Sequence, residues 1–168
     1  MGRSWAHVLA PQLATERRTV AGAVYGTVSV TALIAGSSHD EDSAGRLLLF
    51  AAAASLVVWA VHVYASVLYD TGPNGLPWRT ALTVGVHREL GVLEGALLPL
   101  LILLLGAVGL LADGRAITWS MWSGVLVLFL LPLVWLRRDA HPWWSCIAGA
   151  CLGGAFGVAL TALKVLLH

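Results

Sequence analysis

Residues 86–112 read VHRELGVLEGALLPLLILLLGAVGLLA, and between Leu90 and Ala112 the only ionisable side chain is that of Glu94. An α-helix rises about 1.5 Å per residue, so about 20 apolar residues cross the hydrocarbon core of a bilayer. The stretch is long enough for one crossing. In lipid it must be helical, because every backbone N–H needs a partner within the segment.

Four further apolar stretches have the same character. The 168-residue chain is 58% hydrophobic and only 11% charged, whereas soluble domains carry about 25% charged residues. We therefore expect an all-α, polytopic membrane protein with a single transmembrane domain over residues 1–168 and five transmembrane helices. The predicted spans cover about residues 18–35, 46–69, 86–112, 117–136 and 143–167, and turn-forming residues separate them.

The basic residues predict the orientation of these spans, because cytoplasmic segments carry an excess of Lys and Arg. With a cytoplasmic N-terminus, the opposite side holds only Arg46, Arg115 and Lys164. The cytoplasmic side then holds all the other basic residues, which are Arg3, Arg17, Arg18, Arg79, Arg88, Arg137 and Arg138. We therefore expect the N-terminus inside and the C-terminus outside.

Composition and motifs exclude several classes of function. The net charge of +1 provides no basic field that would attract nucleic acid. The chain has no P-loop, GxSxG, HExxH or CxxC motif, so we expect no cofactor and no metal. Its bias towards Ala, Gly, Val and Leu is typical of high-GC bacteria. The predicted location is therefore a bacterial inner membrane, where the lipid bilayer surrounds a multi-pass protein.

Glu94 and His62 are the ionisable residues that lie deepest in the predicted spans. A charged side chain at the bilayer centre costs about 3 kcal/mol or more, so it usually faces a partner, a cavity or a pathway. Helix rise puts His62 roughly 10 Å, and Glu94 roughly 12 Å, from the cytoplasmic ends of their spans. Tyr25 has the same depth on the first span, and Ser29 shares its face. We hypothesise that Glu94 accepts a hydrogen bond from His62, Tyr25 or both.

Such a polar layer predicts a channel or transporter for a small cation or a proton. Glu94 would supply negative charge, while an imidazole changes its charge within the physiological pH range. Tyr25 and Ser29 would offer neutral oxygens for ion binding or proton handling. Thr27 and Thr31 lie on one helical face, since residues four apart are neighbours on a helix, and would line a central pore in an oligomer.

Three polar residues near the predicted cytoplasmic mouth leave two interpretations open. They are Glu89, His87 and Asp70. One interpretation is a solvated interfacial cluster, and the other is a vestibule that concentrates ions.

Small residues predict close contacts between helices. Gly149, Gly153 and Gly157 form an extended GxxxG pattern in the fifth span, and this pattern lets two backbones approach closely. The spacing does not tell whether the partner helix belongs to the same chain or to another copy. A second stripe with Gly22 and Gly26 lies in the first span. We expect a homo-oligomer.

Short fragments of the chain resemble the prokaryotic relatives of the lysosomal potassium channel. Arg17 or Arg18 precedes the small and aliphatic stretch AVYGTVSVT at residues 23–31, and the second span holds Trp-Ala-Val-His at residues 59–62. Leu-Leu-Pro at residues 97–99 is similar to the Pro-containing third segment of that family. The Phe-Ser-Asp motif of the family is absent here, so no filter residues are transferred. The resemblance implies cation conduction.

Two other classes of function compete with cation movement. In a membrane-embedded enzyme acting on a lipid or isoprenoid substrate, Glu94 and His62 would be an acid–base pair. In a structural or assembly subunit, they would only clamp two helices together. A continuous watery path would favour transport, a blind apolar cavity ending at His62 would favour the enzyme, and a dry, packed contact would favour the subunit.

Overall fold

The computed structural model of the chain is built from α-helices. It describes residues 6–37, 43–72, 75–138 and 141–167, with side chains over 19–36, 43–72, 75–138 and 141–162. Within these ranges there is no strand, which confirms the all-α prediction. The helices are α1 (Ala6–Ser37), α2 (Ala44–Thr71), α3 (Trp78–Arg88), α4 (Leu90–Ala107), α5 (Asp113–Arg138) and α6 (Trp143–Leu167).

Five stretches of the described chain are long and apolar enough to cross a membrane, as the sequence predicts. They are Thr19–Gly36, Ala44–Thr71, Trp78–Ala107, Asp113–Arg138 and Trp143–Ala162. The third consists of α3 and α4 together, which meet at Glu89. Arg3, which supports the predicted orientation, lies outside the described residues.

The third stretch does not have the predicted limits of 86 and 112. Its helix begins directly after Pro77 and continues through the polar side chains of Arg79 and Thr83, which the prediction assigned to a loop. The stretch ends with α4 at Ala107, because Gly109 adopts a φ of 79°. That left-handed conformation stops a helix and is readily adopted only by glycine.

A close backbone contact joins α1 to α4 through glycines on both sides. A Cβ atom at Gly91 would collide with the backbone carbonyl of Thr19, and one at Gly95 would collide with that of Ala23. From the other side, a Cβ atom at Gly26 would collide with the carbonyl of Val92. Small residues four apart let two helix backbones touch in this way. Thr19 lies against Gly91, and Ala23, four residues later, lies against Gly95. The two helices therefore run parallel.

A proline in α4 adds a hydrogen bond to this contact. Pro99 has no N–H, so the carbonyl of Gly95 lacks the donor that a helix normally supplies four residues later. The hydroxyl of Thr27 lies 2.9 Å from that carbonyl oxygen and 2.8 Å from the carbonyl of Ala23 in its own helix. Ser120 of α5 donates to the carbonyl of Pro99 itself, at 2.8 Å. Residues from α1 and α5 therefore donate hydrogen bonds to the carbonyls around this proline.

The proline within α5 is covered by α6. Pro132 removes the helical donor for the carbonyl of Leu128 in α5. Gly153 of α6 lies so close that a Cβ atom there would collide with this carbonyl, and Gly149 and Gly157 also face α5. The small-residue stripe of α6 thus has its partner in the same chain. Because the stripe is used within the chain, it gives no support to the expected homo-oligomer.

Thr27 and Thr31 are both fully buried, which conflicts with the prediction that they line a pore. Thr27 lies at the contact with α4. The Thr31 hydroxyl lies against Gly124 of α5, where a Cβ atom would collide with it. Neither side chain reaches the surface of the chain, so neither is available to a pore between copies.

We predict that Gly26→Ala lowers stability, because the added methyl group must push α1 away from the Val92 carbonyl. Overpacking of this kind costs about 1–3 kcal/mol. The matched control is Gly36→Ala in the same helix, where nothing lies within 4 Å of the added atom. Unfolding in detergent measures both variants. Equal stability of the two would contradict the close α1–α4 contact.

We also predict that Thr27 and Pro99 are energetically coupled. Thr27→Val leaves the Gly95 carbonyl without a donor, and membrane hydrogen bonds of this kind contribute about 0.6 kcal/mol and at most about 1.7 kcal/mol. In a Pro99→Ala background the helix supplies its own N–H, so the same substitution should cost less. A double-mutant cycle on unfolding free energies measures the difference. Additive effects would show that Thr27 does not compensate for the proline.

Candidate functional site

A buried ionic cluster lies where α3 gives way to α4. Arg88, the last residue of α3, places Nη2 2.9 Å from Oδ2 of Asp70 and Nε 3.5 Å from Oε1 of Glu89. The hydroxyl of Ser66 donates to the same Glu89 oxygen. Asp70 and Glu89 are only 5% and 8% exposed. Two acids, one base and one hydroxyl thus share a site between α2 and the α3–α4 junction.

The backbone explains why these side chains meet. Glu89 has φ −92° and ψ 5°, so it belongs to neither helix, although its N–H still donates to the carbonyl of Gly85. Gly85 lies against α2, where a Cβ atom would be 3.6 Å from the Ser66 Cβ and the Val63 carbonyl. The close approach of α3 brings Arg88 and Glu89 to α2. The break between the helices then turns both side chains inward.

Ion pairing dominates the contacts of this cluster. Arg88 Nε, Arg88 Nη2 and Asp70 Oδ2 are buried and make the ion-pair contacts given above, but no hydrogen bond of ordinary geometry. Of the described side chains in the cluster, two are acidic and one is basic. Among the described side chains, the cluster therefore has a formal excess of one negative charge.

A pocket of about 200 Å³ opens beside Glu89. Its described lining consists of Ala21, Gly22 and Tyr25 from α1, His62 from α2 and Glu89 itself. The rings of Tyr25 and His62 meet edge to face, with centroids 5.1 Å apart and an interplanar angle of 64°. One buried carboxylate and two polar aromatic rings therefore border the same space.

The hydrogen bond of His62 defines which ring nitrogen is available. Nδ1 lies 2.9 Å from the carbonyl oxygen of Val58, one turn earlier in α2. A carbonyl only accepts, so Nδ1 carries the hydrogen, and in the neutral ring Nε2 holds the free lone pair. Nε2 can therefore accept a proton or a hydrogen bond.

Glu94 does not meet His62 or Tyr25. Its side chain is exposed, it does not line the pocket, and the described residues provide it with no hydrogen bond or ion pair. The reason is the α1–α4 contact: Gly91 and Gly95 face α1, so Glu94, which precedes Gly95, points away from that helix. Glu89 occupies the place that the prediction gave to Glu94.

The remaining residues of the predicted site lie in different parts of the structure. Asp70 and Glu89 are buried rather than part of an open vestibule, whereas His87 is exposed. Ser29 is half-buried and lines a separate crevice of about 100 Å³ between α1 and α2. The sequence signals that could have found the cluster are the opposite charges of Asp70 and Arg88 at adjoining helix ends, and the glycine spacing that excludes Glu94.

A cleft of about 1020 Å³ on α4, α5 and α6 lies away from these polar residues. Its described lining includes Trp119, Trp122, Phe129 and the exposed Cys151. The described lining contains no acidic, basic or histidine side chain. Nor do the described residues include any group of three or more His, Cys, Asp or Glu that could hold a metal ion.

Comparison of the chain with protein-family models, with curated proteins and with solved structures found no match. The resemblance to relatives of the lysosomal potassium channel therefore stays a prediction.

We predict that Arg88→Leu strongly destabilises the protein, because it leaves two buried carboxylates without their cation. Removing one partner of a buried ion pair costs about 3–5 kcal/mol. Arg79→Leu in the same helix is the matched control, since Arg79 is exposed and such changes usually stay within about 0.5 kcal/mol. Unfolding in detergent compares them. Similar stabilities would mean that the cluster does not form.

Proposed function

We propose that this protein conducts or transports a small cation or a proton across a membrane, using the pocket formed by Glu89, His62 and Tyr25. The observation that carries the proposal is the buried Glu89 carboxylate, which borders a pocket within a helical stretch apolar enough to span a bilayer. Charged groups in such segments usually mark ion or proton pathways.

The chemistry of the pocket favours a positively charged species. Glu89 is an acceptor, the free nitrogen of His62 is an acceptor, and the Tyr25 ring offers a negative face. The acids of the adjoining cluster outnumber the bases among the described side chains. A cation or a proton would offset that excess, whereas an anion would add to it.

The distribution of exposed residues supports a cytoplasmic N-terminus. Arg79, Arg137 and Arg138 are exposed at one end of the helices, and Arg46 and Arg115 are exposed at the other end. The end with the excess of basic residues is typically the cytoplasmic one. In this orientation the pocket belongs to the cytoplasmic half of the membrane.

The competing functions have less support. An enzyme acting on lipids would need a blind apolar cavity that ends at His62, but the pocket that His62 lines holds only about 200 Å³ and is bordered by Glu89. The described lining of the cleft of about 1020 Å³ has no acidic, basic or histidine side chain. A subunit with a purely structural His62 would have that ring fully packed. Instead, His62 is half-buried and borders open space.

The test is a flux assay in liposomes with potassium, sodium and proton gradients. Glu89→Gln should lower the flux of the transported species about tenfold to a hundredfold, because a charge-assisted contact contributes about 1.5–3 kcal/mol. Glu94→Gln is the matched control: it makes the same chemical change at an exposed position of the same stretch and should retain wild-type flux.

Two results would overturn the proposal. One is wild-type protein that conducts no better than empty liposomes for every cation. The other is Glu89→Gln protein that folds normally, judged by its unfolding midpoint, and still conducts at the wild-type rate.

A further inference from the structure

The pocket beside Glu89 offers few oxygen atoms to a metal cation. Its described lining is Ala21, Gly22, Tyr25, His62 and Glu89, so its side-chain oxygens are the two of the carboxylate and the one of the phenol. The backbone carbonyls of the lining residues in α1 and α2 lie in helix interiors, where they already accept hydrogen bonds. Oxygen-bound Ca²⁺ and Mg²⁺ take about six to eight ligands, and a potassium filter replaces the ion's hydration shell with carbonyls. The described lining is too poor in oxygen for a dehydrated metal cation.

The free nitrogen in the pocket suits a proton rather than an alkali cation. Nδ1 of His62 is held by the Val58 carbonyl at 2.9 Å, which leaves the lone pair on Nε2. Imidazole nitrogen is a ligand for transition metals, whereas hard cations select oxygen. A proton needs only one lone pair at a time, and an imidazole gains and loses it within the physiological pH range.

The ion-pair distances distinguish the two buried carboxylates. Arg88 Nη2 lies 2.9 Å from Asp70 Oδ2, whereas Arg88 Nε lies 3.5 Å from Glu89 Oε1. Because attraction falls with distance, the guanidinium compensates Asp70 more fully than Glu89. The Ser66 hydroxyl also donates to Oε1 of Glu89. Among the described residues, no hydrogen bond or ion pair reaches Glu89 Oε2, so Oε2 is the oxygen available to a proton.

One proton balances the charge of the buried cluster. Asp70 and Glu89 carry two negative charges against the one positive charge of Arg88, and an uncompensated buried charge is costly. Protonation of Glu89 at Oε2 removes the excess and leaves the shorter Arg88–Asp70 pair intact. The Ser66 contact also survives, because Oε1 of a protonated carboxyl group still accepts a hydrogen bond.

We propose that the species that this pocket binds and passes is the proton, and that it moves between Nε2 of His62 and Oε2 of Glu89 through water. The inference rests on the proposed function and names its substrate. The pocket of about 200 Å³ has room for about six waters, since a water molecule takes about 30 Å³ in the liquid.

The transfer step conserves atoms and charge. Water in the pocket accepts the proton from Nε2 of the His62 imidazolium while it gives one of its own to Oε2 of the Glu89 carboxylate. One N–H bond breaks and one O–H bond forms on Glu89. The imidazolium becomes a neutral imidazole, the carboxylate becomes a neutral carboxyl group, and the water is regenerated.

Ion selectivity of the wild-type protein is the first test, and it needs no variant. Liposomes containing the full-length protein are given separate proton, potassium and sodium gradients, and a dye specific for each ion reports its flux. Proton flux should exceed that of empty liposomes. Potassium and sodium flux should not exceed it.

Chemical rescue tests the role of the imidazole. His62→Ala should lower proton flux about a hundredfold, which is typical for the loss of a proton-transferring side chain. Added imidazole should restore the flux, because it occupies the space of the deleted ring and exchanges protons near neutral pH. Pyrazole, a ring of the same size that is a far weaker base, should not.

Two variants control the rescue experiment. His87→Ala removes an exposed imidazole from α3 and should retain wild-type proton flux. The double variant His62→Ala with Glu89→Gln should show no rescue by imidazole, which separates rescue at the site from passage of imidazole through the lipid. The unfolding midpoint in detergent verifies that each variant is folded.

Three results would overturn the inference. They are Glu89-dependent flux of potassium or sodium without proton flux, wild-type proton flux through folded His62→Ala protein, and rescue by imidazole no greater than that by pyrazole. The first of these leaves the proposed function in place with a metal cation as its substrate. The proposed function itself fails if neither protons nor metal cations pass faster than in empty liposomes.

Discussion

The backbone contact between α1 and α4 constrains the rest of this structure. Gly91 and Gly95 let α4 lie directly against the carbonyls of α1, and Gly26 allows the reverse approach. Packing of small residues is the main way in which apolar helices associate when burial from water contributes little. A methyl group at any of these positions would separate the helices, which would displace both the core and the polar site.

The same contact explains how α4 tolerates a proline. Pro99 frees the Gly95 carbonyl, and the hydroxyl of Thr27 reaches it only because α1 lies so close. A similar arrangement recurs between α5 and α6, where Gly153 lies against the carbonyl that Pro132 frees. In each case the proline, where one helix loses a backbone hydrogen bond, becomes a point of contact with the next helix. Neighbouring helices commonly compensate for proline in apolar surroundings in this way.

Whether Glu89 or Glu94 borders the polar pocket depends on which face of the helix each residue occupies. Counting residues across 86–112 as one continuous helix put Glu94 on the face of His62, and this prediction was wrong. The break at Glu89 changes the phase between α3 and α4, and the glycines of α4 turn its other face towards α1. The matching depth of Tyr25 and His62 was predicted from helix rise, and their rings do meet. The depth of a residue depends only on its position along its own helix. The direction in which its side chain points depends on the helices that pack against that helix.

Apolar run length was sufficient to recognise five helices that can cross a membrane, because bilayer thickness sets a minimum length that does not depend on neighbouring segments. It did not locate the beginning of the third stretch, where polar residues continue a helix before the break. Which side chains become buried together depended on packing between segments far apart in the chain. This packing pairs Ser66 with Glu89 and buries Thr27 and Thr31. The small residues of the neighbouring helices decide how each helix is rotated about its own axis.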